Sequence, residues 1–183
     1  MVERIVAAGA ELLRREGYEG FSTNRVAREA GVSPGSLYQY FPDKQAIVDE
    51  VIDRWSAEVS ERVAAALAKR VGEEGPAMVR GVVESLVLAL EAEAPLLRVV
   101  LVELPHARTR ASTLALERRV QELAIAYLAG RDPAGLPAHT VKAWMLVVAV
   151  ENVVVRWVVD EPGIPRGQLV DELTALCVGY LAA

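Results

Sequence analysis

The chemically expressive stretch of this 183-residue chain is short: Ser33, Gly35, Ser36, Tyr38, Gln39 and Tyr40 stand close together, and Lys44 follows one helical turn later. Hydroxyls, an amide and an ammonium are the groups that contact phosphate oxygens and base edges of nucleic acid. Their spacing turns them into a surface. Leu37 and Phe41 are four apart and face inward with Val32, which leaves Gly35, Ser36, Tyr38, Gln39 and Tyr40 on the outward arc of a helix opening at Pro34. The small residues Gly35 and Ser36 let the start of that helix, with its free amides, approach a duplex closely.

Such a surface needs rigid support, and the flanking residues provide the signals for it. Ser22 or Thr23 caps a helix whose apolar side is Val26, Ala27 and Ala30. Gly31 ends that helix, because a left-handed residue is cheapest without a Cβ. Ser33 caps the next helix, Pro34 takes its first position, and the helix ends near Phe41-Pro42. Asp43 caps the helix after that. Helix, tight turn and short helix make the helix-turn-helix pattern, whose second helix, here residues 34–40, lies in the major groove. The candidate DNA-binding residues are Thr23, Asn24, Arg25, Ser33, Gly35, Ser36, Tyr38, Gln39, Tyr40 and Lys44.

The string AREAGVSPGSLYQYFPDKQAIV resembles the signature of the tetracycline-repressor (TetR) family of bacterial regulators, with the Gly-Val-Ser turn, the Leu-Tyr-x-Tyr-Phe helix and the following Lys in the right order. The resemblance covers roughly the first quarter of the chain. It implies that Thr23, Ser36, Tyr40 and Lys44 touch phosphates and that Asn24, Gly35, Tyr38 and Gln39 meet base edges. One feature departs from the usual basic patch. Up to residue 54 the cations are Arg4, Arg14, Arg15, Arg25, Arg28, Lys44 and Arg54, against Glu3, Glu11, Glu16, Glu19, Glu29, Asp43, Asp49, Glu50 and Asp53. Few cations predict modest non-specific affinity and a shallow salt dependence.

The net charge of −5 argues against bulk attraction to nucleic acid or to an anionic membrane surface. A hydrophobic content of 52% with only 5% aromatics hints at a buried partner face packed by Leu, Val and Ala. Cys177 is the single cysteine, so no intrachain disulfide and no cysteine-based zinc site is expected, and a reducing cytoplasm is the default compartment. The N-terminus has no apolar run of signal-sequence length. Two histidines and the absence of a Gly-rich phosphate loop, GxSxG or His-Glu-x-x-His exclude the common catalytic motifs; no enzyme, cofactor or metal site is expected.

Periodicity gives an all-α chain of about nine helices: 2–16, the helix-turn-helix pair, a long rod over 44–71, then 77–93, 96–104, 107–129, 139–159 and 166–181. The expected domains are a DNA-binding domain over 1–47 and an effector-binding and dimerisation domain over 48–183. The rod has no proline or internal glycine and spans about 40 Å. Residues 139–159 are apolar nearly all round, yet Glu151, Asn152 and Arg156 argue against a membrane span. A helix of that kind in so small a chain calls for a second subunit.

The resemblance implies that the last two helices form a four-helix bundle with their symmetry mates, and that the middle helices enclose a pocket for a small molecule. The expected dimer residues are Val147, Val154, Val158, Leu169, Leu173, Leu176, Cys177 and Tyr180. The candidate effector residues are Trp55, Met78, Leu101, His106, Arg110, Trp144, Val148, Glu151 and Asn152. Glu151 and Asn152 carry most weight among them, because an unpaired buried polar group costs roughly 1 to 3 kcal/mol. Their plainer reading is a hydrogen bond between helices or a pairing with Arg156. The function expected is a homodimeric repressor of palindromic operators, released by a small, mostly hydrophobic effector. The alternative keeps the DNA-binding head and makes the C-terminal bundle a dimerisation module or a site for a protein partner.

Overall fold

The computed structural model describes residues 1–70, 75–104, 118, 120–122, 124–126, 128–130 and 136–182, with backbone alone at 67 and 136–138. The helices are α1 (Val2–Glu16), α2 (Thr23–Ala30), α3 (Pro34–Tyr38), α4 (Lys44–Lys69), α5 (Pro76–Ala92), α6 (Ala94–Arg98), α7 (Leu136–Asp160) and α8 (Arg166–Ala182). The described residues between 118 and 130 are helical as well. No strand occurs among the described residues, and the chain is all-α as its periodicity predicts.

By packing, the chain divides into two units: Met1–Ala57 with Glu93–Thr113, and Glu58–Ala92 with Leu114–Ala183. In the first, α1, α2 and α3 close around Ile5, Leu12, Leu13, Phe21, Val26 and Leu37, with Ile47, Val48 and Val51 from the start of α4 completing the core. A three-helix core alone is marginal. Leu96 and Leu97 of α6 are buried here too, and Arg14 of α1 pairs with Glu93 at 2.8 Å. In the second unit, α5 packs on α7 and α8, and Val83, Val87, Leu90, Val150, Val154, Val158, Leu169 and Leu173 on these helices are buried.

Three boundaries differ from the expected ones. The helix over 96–104 is not uniform: after α6 it widens into a π-helical turn, Val99–Glu103, in which Leu104 N–H bonds Val99 O five residues back at 3.1 Å. That wider turn ends at Glu103, whose carboxylate accepts Tyr18 N–H at 2.6 Å, just past α1. α3 stops at Tyr38, because Tyr40 N–H and Phe41 N–H both turn onto Leu37 O at 3.0 Å, a tightened last turn. α7 begins at Leu136 with Pro137 in its first turn, where a missing N–H costs nothing. No described helix is long and apolar enough to cross a membrane.

Candidate nucleic-acid interface

Local chemistry fixes the reader. Ser22 Oγ accepts Arg25 N–H at 3.4 Å and starts α2. Gly31, at φ 64° and ψ 41°, ends it, and Val32 N–H closes on Ala27 O at 2.9 Å. Ser33 Oγ accepts Ser36 N–H at 3.1 Å and lies 2.9 Å from Ser36 Oγ. Asp43 Oδ1 accepts Ala46 N–H at 2.8 Å and starts α4. Leu37 and Phe41 are buried, so each bond serves to hold one face of α3 inward and the other outward.

On the outward face, Tyr38 and Tyr40 are 50% and 48% exposed, and Gly35 and Gln39 are exposed beside them. Asn24 is exposed, whereas Thr23, Ser36 and Lys44 are half-buried. Thr23 Oγ1 and Tyr38 OH lie 2.9 Å apart, which brings a side chain of α2 onto the surface of α3. Among the described residues nothing calls for a glycine at 35: a Cβ there would meet only Ser33 Oγ, at 4.0 Å.

The electrostatics are as lean as the sequence predicts. Arg15 is paired with Glu29, Arg54 with Glu3 and Glu50, and Arg14 with Glu93. Hydrogen bonds from Arg54, Arg25 and Arg15 hold the Glu3, Glu16 and Glu29 carboxyls, respectively, below the usual range. Arg25 itself is tied to Glu16 and donates to Gly20 O at 2.8 Å, so its charge binds the α1–α2 link together. The Lys44 ammonium sits 3.8 Å from the centroid of the Tyr18 ring. Among the described residues up to 54, Arg28 and Lys44 are the cations held by neither a carboxylate nor a carbonyl.

Arg4 is a residue that sequence pattern alone did not single out. From the polar side of α1 its Nη2 donates to Ala30 O at 2.5 Å and Gly31 O at 3.0 Å, capping α2 at the turn that aims α3. A cation there also suits the negative end of the helix dipole.

The second unit holds a cavity of about 140 Å3. Its wall is apolar, from Val63, Met78, Val82, Leu86, Ala143, Leu146 and Val150 among others, and Glu151 is the one charged side chain among the described lining residues. Of the candidate effector residues, Met78 and Glu151 line it. Trp55 and Leu101 belong to the first unit. Trp144 is 54% exposed, Val148 is off the wall, and Asn152 donates to Val148 O of its own helix at 2.8 Å. His106 and Arg110 lie outside the described residues. The neighbours Val79, Val82, Val83 and Leu86 on α5 recur at helical spacing, a signal that marks an inner face without distinguishing wall from core.

The expected dimer residues separate into two groups. Val154, Val158, Leu169, Leu173 and Cys177 are buried within their own unit, and Val147 and Cys177 line the cavity. Leu176 is 53% exposed, and the half-buried Tyr180 bonds Met145 Sδ through its hydroxyl at 3.2 Å. Val141, Met145, Ala149 and Val153 are exposed at four-residue spacing along α7, with exposed Trp144 beside them, forming an apolar stripe on a helix that the sequence alone made look uniform.

Residues 5–51 match the family described as bacterial regulatory proteins, tetR family, and residues 75–181, more than half of the chain, match the tetracyclin repressor-like C-terminal domain. The HTH-type transcriptional repressor DrrR1 of Streptomyces coeruleorubidus is 42% identical over 53 residues, 29% of this chain and 20% of that protein's length. Among solved structures, a tetR-family transcriptional regulator from Streptomyces coelicolor superposes with a TM-score of 0.79 at 18% identity, over 100% of this chain and 83% of that one. FadR from Bacillus subtilis, solved in complex with stearoyl-CoA, gives 0.70 at 18% identity over 98% and 99%. With a helix-turn-helix domain at its start and the cognate C-terminal domain behind it, the chain belongs to the TetR family of transcriptional regulators.

Proposed function

We propose that this chain is a homodimeric repressor that reads a palindromic operator with the outer face of α3 and releases it when a small, mostly hydrophobic molecule occupies the C-terminal domain. The observation that carries the reading is Gly35, a glycine in the first turn of α3 that no contact among the described residues requires. In a helix glycine is unfavourable by about 1 kcal/mol relative to alanine. A constraint from outside accounts for it, and a duplex pressed against the start of α3 is such a constraint. Thr23, Ser36, Tyr40 and Lys44 are assigned to phosphates, and Asn24, Gly35, Tyr38 and Gln39 to base edges. Arg25 and Ser33 are assigned the supporting part, since both are engaged locally.

The apolar stripe on α7 and Leu176 of α8 support a two-fold dimer, because aromatic and methionine side chains with little charge characterise the core of such interfaces. The apolar cavity supports an effector that is mostly hydrocarbon, with Glu151 as the polar contact on its wall. FadR of Bacillus subtilis, a neighbour in fold, is solved with a long-chain acyl thioester. The functional boundary between reader and regulatory domain falls at residue 47, and α4, an unbroken helix of 26 residues, carries the chain across it. The test is Gly35→Ala. This substitution should leave Tm unchanged or raise it, while lowering affinity for a selected operator duplex about tenfold, near 1.4 kcal/mol. Unchanged affinity would remove the duplex from the account of Gly35.

A further inference from the structure

A second concavity, of about 600 Å3, lies in the same unit, in the groove between the C-terminal half of α4 and α5. Three cations line it, Arg62, Lys69 and Arg70, over a floor that includes Ala66, Leu88 and Ala89, and no carboxylate is among its described lining residues. Elsewhere in the same unit Arg80 pairs with Asp171, Arg166 with Glu91 and Arg156 with Asp160. Arg62 and Lys69 have no such partner among the described residues. Arg62 and Lys69 share one face of α4 two turns apart, with Arg70 just past the helix end, so the cations bracket about 11 Å of groove.

The third cation is seated by a glycine. A Cβ on Gly81 of α5 would fall 2.2 Å from Arg70 Cζ, so the guanidinium lies directly against the α5 backbone. A side chain at 81 would push the guanidinium, the mobile end of a long side chain, out of this position. Leu88, 45% exposed, supplies apolar surface to the same groove. A cluster of cations with uncompensated members raises the local potential for anions, and a groove of this size falls in the range of about 300 to 1,000 Å3 typical of small-molecule sites. The geometry points to a binding site for an organic anion: carboxylate, phosphate or sulfonate groups against Arg62, Lys69 and Arg70, with the hydrocarbon body on Leu88 and the alanines. This site is separate from the apolar cavity, which has one carboxylate and no cation among its described lining residues.

The probe pair is 1-anilinonaphthalene-8-sulfonate and its uncharged relative N-phenyl-1-naphthylamine, titrated by fluorescence into the full chain. Arg62→Gln with Lys69→Gln should weaken the sulfonate about tenfold and leave the uncharged probe unchanged. Raising salt from about 50 to about 500 mM should weaken the sulfonate alone. Both substitutions are at exposed positions, and Tm should stay within a few degrees of the parent. Equal sulfonate affinity in parent and variant, or no sulfonate binding by the parent, overturns the site. The same variant should bind operator DNA as the parent does. A loss of DNA affinity with a shallower salt slope would give these cations to the duplex and overturn the assignment to a small anion.

Discussion

Thr23 Oγ1 lies 2.9 Å from Tyr38 OH, so the first turn of α2 and the outward face of α3 are joined by a hydroxyl pair at the protein surface. The pair holds the phenol of Tyr38 in one direction before any duplex arrives. Preorganisation of this kind lowers the entropy lost on binding.

If the two hydroxyls act as a unit, Tyr38→Phe and Thr23→Val each lower operator affinity by about 1 kcal/mol per half-site, roughly fivefold, and the double variant loses little more than either single one. Tyr40→Phe, whose hydroxyl is in no such pair, adds its full loss to theirs. Binding isotherms on one operator duplex check this. Fully additive losses for Thr23 and Tyr38 would show that the pair has no bearing on binding.

The salt dependence of operator binding should be shallow. In the proposed dimer each subunit brings Arg28 and Lys44 as its cations not already paired, so about four phosphates are neutralised and the slope of log K against log salt should be about −4 or less steep. Glu16→Gln frees Arg25 and should steepen the slope. A wild-type slope near −8 would mean that the ion pairs of α1 and α2 open on DNA.

Much of the reader was legible because its determinants are local. Ser22, Gly31, Ser33, Pro34 and Asp43 act within three or four residues of themselves, and the helix ends lie where those residues place them. Leu37 and Phe41 announced the buried side of α3 by spacing alone. What sequence could not supply was long-range pairing. Arg25 stands among the DNA-binding candidates by its position, yet Glu16 and Gly20 O, from outside its own helix, take its guanidinium. Arg4 reaches a turn 26 residues away. In α7 the failure had another cause: when valine stands on every side, periodicity gives no direction, so Val154 and Val158 could not be told from Val141 and Val153.

The exposed stripe on α7 predicts the assembly. Trp144→Glu places a charge in the proposed interface, where an unpaired buried charge costs about 3 to 5 kcal/mol, and should raise the dimer dissociation constant at least about a hundredfold. Sedimentation velocity over a concentration series checks it, with circular dichroism confirming the fold. A dimer as tight as the parent would place the contact elsewhere.

Cys177 is buried on the wall of the cavity, and burial pushes its thiol up to about 11. At pH 8 it is therefore protonated and reacts slowly with a disulfide reagent, whereas the unfolded chain, at the ordinary 9.0, reacts fast. Because the folded value is the higher one, the associated stability is complete below pH 9 and is lost as pH rises through about 11. Rapid modification of the folded protein at pH 8, or a disulfide-linked dimer on non-reducing electrophoresis, would contradict this placement.

The most direct measurement is selection of binding sites from a pool of random duplexes by the purified full chain. Two α3 helices related by a two-fold axis should enrich an inverted repeat whose half-sites are centred about one helical turn, near 34 Å, or a multiple of it apart. Enrichment of a single unpaired site, or of no sequence at all, would contradict the claim that α3 reads an operator as one of a symmetric pair.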